Sequence, residues 1–332
     1  MTPLDDLDPP SFQFGRGRRD KAPEEPLEEP VDPDEEPAPS ERLPEPVVRK
    51  IGEDETEEPR RRFRFPINLS ETQSRVLVAI PWIVFAIAII AIGDLVFTLA
   101  MIGLAILGLR EFFRMSTAAR PLMLPAYLTV AAMILAAHYG TAFQILLFMA
   151  AAFPAMFAFA AARESQRGIT VSIAVTLLGI TWLGLGFSHA VLLRDLPDHG
   201  GALLIDVLVA TFLGDTAAYG AGRLFGSRKI TPRISPNKTL EGGIGGFIGA
   251  TMGFWFAGLY QDWLPGIDAL LMGMCIAIVA PLGDLFASMI KRDLGVKDTG
   301  SLFGPHGGLI DRLDAVVFTV VAGYYLAVAF VY

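Results

Sequence analysis

Residues 121–162 read PLMLPAYLTVAAMILAAHYGTAFQILLFMAAAFPAMFAFAAA, a run without one Asp, Glu, Lys or Arg. The hydrocarbon core of a bilayer is about 30 Å thick and takes about 20 apolar residues per helix, so the run is too long for one crossing. It divides at His138-Tyr139-Gly140, giving two spans. Working outward, similar runs place spans at 76–92, 94–109, 121–138, 141–162, 169–187, 202–222, 243–260, 266–290 and 313–332. The chain is therefore expected to be all-α, a polytopic integral membrane helical bundle of about nine transmembrane helices, the second being the shortest.

The segment before this body is of another kind. Residues 1–67 hold 19 acids and 11 bases and are rich in Pro and Glu, as in EEPLEEPVDPDEEPAPSERLPEP. Too few apolar groups are present to offset the entropy of ordering, so 1–67 is expected to be a disordered acidic tail and 68–332 the transmembrane catalytic domain. The tail's excess of eight acids equals the net charge of the whole chain, −8, which leaves the membrane body neutral. Nucleic acid is not an expected partner. The single cysteine, Cys275, rules out an intramolecular disulfide. Apolar sequence begins only near Val76, too late for a secretory signal.

Orientation follows from the bias of Lys and Arg toward cytoplasmic loops. With the N-terminus inside, Arg75, Arg110, Arg114, Arg120, Arg163, Arg167, the stretch Arg223 to Lys238 and the stretch Lys291 to Arg312 all fall on the cytoplasmic side. The opposite loops hold one base, Arg194. Both long polar loops then face the compartment that contains nucleotides.

Charged groups within spans are costly and mark sites by default. Asp206 and Asp215 lie in the sixth span and Asp284 in the eighth. Helical spacing puts Asp215, Tyr219 and Arg223 on one face, and Asp284, Ser288 and Lys291 or Arg292 on another. Asp311 and Asp314 are neighbours at the start of the ninth span. Crowded carboxylates repel unless a cation lies between them, and Mg²⁺ takes one or two carboxylates together with waters and substrate phosphates. Asp284, Asp311 and Asp314 are thus candidate metal ligands; the alternative is that such acids form structural ion bridges with Lys291, Arg292 or Arg312.

The segment KRDLGVKDTGSLFGPHGGLIDRLD, residues 291–314, supplies the other half of the chemistry. Gly300, Gly304, Gly307 and Gly308 allow close backbone approach to an anion. A helix starting near Leu309 would offer free N–H groups to a phosphate. Lys291, Arg292 and Lys297 can neutralise a phosphate chain, and His306 stands among them. The segment reads as a Mg²⁺-polyphosphate cradle at the membrane surface.

A second polar loop, GRLFGSRKITPRISPNKTLEGG, turns at Pro236-Asn237 and places Lys238, Thr239 and Glu241 where the seventh helix begins. Its bases suit lipid headgroups, nucleotide phosphates, or orientation alone. Gly242 with Gly246 and Gly245 with Gly249 are spaced for close helix packing. His138, His189 and His199 fall at or near the far side and receive no role. Neither GxxxxGK[ST] nor a properly spaced GxGxxG occurs.

From Ser288 onward, SMIKRDLGVKDTGSLFGPHGGLIDRLD closely resembles the pattern of phosphatidate cytidylyltransferases, also called CDP-diacylglycerol synthases. Ser288, Lys291, Arg292, Lys297, Asp298, Gly300, Gly304, His306, Gly307, Gly308, Asp311, Arg312 and Asp314 stand where that motif has them. GDTAAYGAGRLFG and SPNKTLEGGIGG are similar to further family segments, so the likeness covers about 68–332. It implies CTP and phosphatidic acid as substrates, CDP-diacylglycerol and pyrophosphate as products, and a Mg²⁺ requirement with room for a second cation. It also implies a homodimer in the lipid bilayer, in the inner or plasma membrane of a bacterium, with Asp284, Asp311 and Asp314 around the metal. Lys238, Asp215, Tyr219 and Arg223 join the expected binding set. Rival readings are a CTP-dependent kinase of a polyprenol or other lipid alcohol, a cation transporter using Asp206, Asp215 and Asp284, and a structural scaffold.

Overall fold

A computed structural model describes residues 71–300 and 307–332, with only the backbone of residues 71–80 and 82. The expected tail 1–67, Gly304 and His306 lie outside the described residues. What is described is a helical membrane bundle. α1 (Glu71–Ile92) and α2 (Asp94–Met115) meet at Gly93, whose φ of 65° makes the bend. The Arg194 guanidinium lies over that bend, so a Cβ on Gly93 would come within 1.5 Å of it. α3 (Met123–Tyr139) and α4 (Ala142–Ala161) divide the opening run where its sequence suggests. Thr141 and Gln144 form a capping box that restarts the helix there.

α5 (Ile169–Gly179) and α6 (Leu185–Arg194) are joined through a π turn, Ile180–Gly184, into one 26-residue rod. α7 (Gly200–Phe225) leads to a small hairpin of β1 (Lys229–Thr231) and β2 (Ser235–Thr239), then α8 (Leu240–Ala257), α9 (Gly266–Asp293) and α10 (Ile310–Phe330). The hairpin is the one departure from an all-α reading among the described residues. It is antiparallel, pairing Lys229 with Thr239 and Thr231 with Ser235 across an irregular register.

Among the described residues, six helices are long and apolar enough to cross a membrane: α2, α4, the α5–α6 rod, α7, α9 and α10. Ile83–Ile92 of α1 and the whole of α3 are shorter apolar helices. The sequence-based span ends stop at charged residues, whereas the helices run through them. α2 continues past Arg110 and Glu111, and α9 continues to Asp293. α4 displays its side chains outward: Phe143, Leu146, Leu147, Phe153 and Phe157 are all exposed. Hydrocarbon bared to this extent is stable only against lipid or another apolar surface.

The glycine pairs do what their spacing suggests. A Cβ on Gly246 would sit 2.9 Å from Ala218 Cβ, and one on Gly249 would sit 2.5 Å from Ala217 Cβ. The backbones of α7 and α8 therefore touch along a seam that any larger residue would force apart. Thr239 caps α8 by accepting a hydrogen bond from Gly242 N at 3.1 Å. The Glu241 carboxylate accepts from the Ser227 hydroxyl and from the Ser227 and Arg228 amides, fastening the hairpin to α8.

Candidate active site

α7, α9 and α10 converge at the end of the bundle that carries the hairpin. α9 and α10 approach so closely that a Cβ on Gly283 would lie 2.6 Å from the carbonyl oxygen of Asp314. That contact brings the Asp284 and Asp314 side chains into one electrostatic neighbourhood, which Asp215 of α7 shares. Lys238, delivered by β2, reaches Asp284 Oδ2 at 2.8 Å, while Ser288, one turn on, donates to Asp284 Oδ1 at 3.2 Å.

Asp311 faces Lys291, Thr299 and Gly308. Lys291 Nζ contacts its Oδ1 at 2.7 Å, and both side chains are about nine-tenths buried, at 12% and 10% exposure. Its Oδ2 accepts from Thr299 N at 2.8 Å, Thr299 Oγ1 at 3.0 Å and Gly308 N at 2.9 Å. Gly307, at φ 83°, turns the chain so tightly that a Cβ there would meet Asp311 Oδ2 at 2.7 Å. Asp311 thus ties Lys291, Thr299 and Gly308 to the start of α10.

The expected phosphate seat at that helix start is already taken. Leu309 N donates to Glu111 Oε1 at 2.9 Å, and Ile310 N donates to Glu111 Oε2 at 3.1 Å. With Gly308 N held by Asp311, the first amides of α10 face two of the protein's own carboxylates, not an open anion site. Ending the second span at residue 109 leaves Glu111 outside it and without a role. The signal was present: Glu111 lies among Leu109, Phe112 and Phe113, the pattern of a helix that continues.

Arg292 Nε donates to Ile234 O at 3.4 Å, pinning the end of α9 to the hairpin turn. Arg223 donates to the Tyr219 hydroxyl at 3.2 Å in an exposed pair, as their spacing suggests. Lys297 and Asp298 are exposed, and Gly300 packs its backbone against Glu111. Arg312 lines the rim of an apolar cavity of about 630 Å³ with Phe97, Phe187, Leu208 and Val316 among its walls. Asp206 is not in the cluster. It lies nine residues before Asp215, about 13 Å along α7, and is bound by Gln261 at 3.0 and 3.3 Å and by Tyr260 at 3.5 Å.

Among the described residues, no three His, Cys, Asp or Glu side chains stand close enough to hold a metal ion by themselves. The expected set of Asp284, Asp311 and Asp314 is thus not a closed cage, since Lys291 and the segment amides draw Asp311 aside. The charge balance is nevertheless specific. Asp215, Asp284, Asp311 and Asp314 face two ammonium groups, Lys238 and Lys291, a formal surplus of two carboxyl groups over bases. Hard carboxylate donors with that surplus fit a divalent cation such as Mg²⁺, which takes few protein ligands and completes its shell with phosphate and water. Beside the cluster, hydrogen bonds from the Ser227 hydroxyl and neighbouring amides pull the Glu241 carboxyl down to about 2.

The profile of the cytidylyltransferase family matches residues 73–330. Uncharacterized protein YnbB of Escherichia coli is 44% identical over 142 residues, covering 42% of this chain and 48% of that protein. Phosphatidate cytidylyltransferase of Bacillus subtilis is 35% identical over 157 residues, covering 47% and 58% respectively. Phosphatidate cytidylyltransferase of Synechocystis sp. is 30% identical over 287 residues, covering 76% of this chain and 96% of that enzyme. The matched chain thus spans about half the length of the first two relatives and nearly all of the third.

Proposed function

The chain belongs to the cytidylyltransferase family over residues 73–330, and from that premise we propose that it transfers a cytidylyl group from CTP to phosphatidic acid in the membrane. The products are CDP-diacylglycerol, a phospholipid precursor, and pyrophosphate. The observation that carries this reading is the gathering of four carboxyl groups, Asp215, Asp284, Asp311 and Asp314, around only two ammonium groups, with lysines that can move onto phosphate.

A phosphate oxygen of phosphatidic acid attacks the α-phosphorus of CTP. The bridging bond from that phosphorus to the β-phosphate oxygen breaks, and pyrophosphate leaves with the electron pair. A phosphate monoester near neutral pH is already largely ionised, so no strong general base is needed; orientation and charge neutralisation carry the rate. Lys291 and Lys238 turn from their aspartates toward the triphosphate, and Arg292 and Lys297 add positive charge on the leaving-group side. His306 orients phosphate oxygens. Asp215, Tyr219 and Arg223 border the lipid phosphate, and the apolar cavity beside Arg312 has room for acyl chain.

Asp284 and Asp314, with Asp311 beside them shaping the cradle, would hold Mg²⁺. When bound, the ion supplies neutralisation of triphosphate charge. The reading further places this end of the bundle and the N-terminus in the cytoplasm, on the Lys/Arg bias of the loops, and the protein in a bacterial membrane as a homodimer. Cross-linking in native membranes tests the pairing.

The deciding experiment incubates purified protein with phosphatidic acid, Mg²⁺ and CTP labelled at the α- or γ-phosphate. Label from the α-position alone is expected in lipid. Label from the γ-position would assign a lipid kinase instead, and no labelled lipid from either would refute both.

A further inference from the structure

We infer that Glu111, on α2, is a positioning residue for the cradle, coupled to Asp311 through the hydroxyl of Thr299; the kinetic part of this inference rests on the cytidylyl-transfer reading. Glu111 is 8% exposed and sits between Leu109 and the buried rings of Phe112 and Phe113. Among the described residues no Lys or Arg pairs with it. A carboxylate that deep is retained only where hydrogen bonds replace its water. The replacements are Leu309 N, Ile310 N and Thr299 Oγ1, at 2.9, 3.1 and 3.1 Å. Two of these are orphan amides of the first turn of α10, where the helix dipole also favours negative charge.

The third donor creates the coupling. Thr299 is 5% exposed, and its one hydroxyl lies 3.1 Å from Glu111 Oε2 and 3.0 Å from Asp311 Oδ2. That one hydroxyl proton is divided between the two acceptors, so the position of one carboxylate sets how much of it the other receives. The surrounding chain is moulded on Glu111 as well. A Cβ on Gly300 would lie 2.9 Å from Glu111 Oε1, and one on Gly308 would lie 2.5 Å from Oε2. Glu111 therefore fixes where Thr299 and Gly308 stand, those two fix Asp311, and Asp311 holds Lys291. It acts on the reaction without touching substrate.

Glu111→Gln tests this in the full chain in detergent, because the new amide directs N–H groups at N–H donors. Turnover is expected to fall about 10- to 100-fold, the range typical of residues that orient ligand-bearing groups, while the KM for CTP stays within about threefold. Backbone amide exchange at Thr299 and Gly308 is expected to accelerate. Those amides bond to Asp311 and not to Glu111, so a simple loss of the α10 cap would leave them protected. Thr299→Val is expected to reproduce the effect, and the double variant to fall no further than either single one. Unchanged exchange at Thr299 and Gly308, or multiplied losses in the double variant, overturns the inference. If Glu111→Gln does not fold, Thr299→Val carries the test alone: loss of turnover with faster exchange at Gly308 supports the coupling, and wild-type values refute it. If wild-type protein makes no cytidine-containing lipid, the transfer reading fails, while the exchange data still decide the coupling.

Discussion

Replacing Asp311 by asparagine probes the cradle at its most heavily bonded atom group. Asp311 accepts from Lys291 Nζ at one oxygen and from Thr299 N, Thr299 Oγ1 and Gly308 N at the other. An asparagine has only one acceptor oxygen. If that oxygen keeps the two amides, its NH₂ points at an ammonium; if it turns to Lys291, the NH₂ points at two N–H groups. The lower-cost choice gives up Lys291. A hydrogen bond to a charged group contributes about 1.5–3 kcal/mol, and an ammonium left unpaired at 12% exposure adds desolvation, for a total near 3 kcal/mol. That corresponds to about two decades in the population of the ordered cradle. Turnover of CTP and phosphatidic acid should fall about 10²- to 10³-fold, and Asp311→Ala should abolish it. The assay follows cytidine-containing lipid in detergent, with far-UV circular dichroism showing a folded helical protein. An Asp311→Asn variant that turns over within threefold of wild type refutes the assignment of Asp311 to the cradle.

Lys238→Met removes the ammonium 2.8 Å from Asp284 and raises the local surplus of carboxyl groups over bases from two to three. Half-saturation by Mg²⁺ should then fall several-fold while turnover drops, and a rise in the Mg²⁺ requirement would contradict the charge argument. Asp206→Ala frees Gln261 and Tyr260 at the other end of α7 and should lower the melting temperature without changing kcat; loss of kcat would reinstate a path through the bundle. Glu241 has a folded pKa of about 2 against an ordinary 4.5, because its charged form is bonded to Ser227 and nearby amides. Its clamp on the hairpin therefore contributes fully above pH 4.5 and is lost as pH falls toward 2. Amide exchange at Ser227 and Arg228 should quicken over that window in wild type, and be fast at every pH in Glu241→Gln.

What the sequence made legible was the part governed by local periodicity. The break at Tyr139-Gly140, the tight α7–α8 seam at Gly246 and Gly249 and the Thr239 cap all follow from spacing along one or two helices. What it concealed were partnerships between distant segments. The Lys238–Asp284 pair joins a hairpin to a helix 46 residues away, and Glu111 closes onto amides nearly 200 residues downstream. Short-range spacing carries no information about either. Placing the end of the second span at the first charge also hid the physical fact that a helix tolerates a buried carboxylate when another helix's first turn supplies its donors. The phosphate seat expected at the start of α10 failed for that same reason.

The pairing of Lys238 and Lys291 with aspartates has a kinetic corollary. A triphosphate reaching Lys238 and Lys291 does not meet bare cations there; each of these two lysines must first let go of a carboxylate, so for this pair the number of ion contacts is the same before and after. Such a swap returns less net electrostatic energy than capture by free cations would, which favours weak retention and a pyrophosphate that departs as readily as its parent arrived.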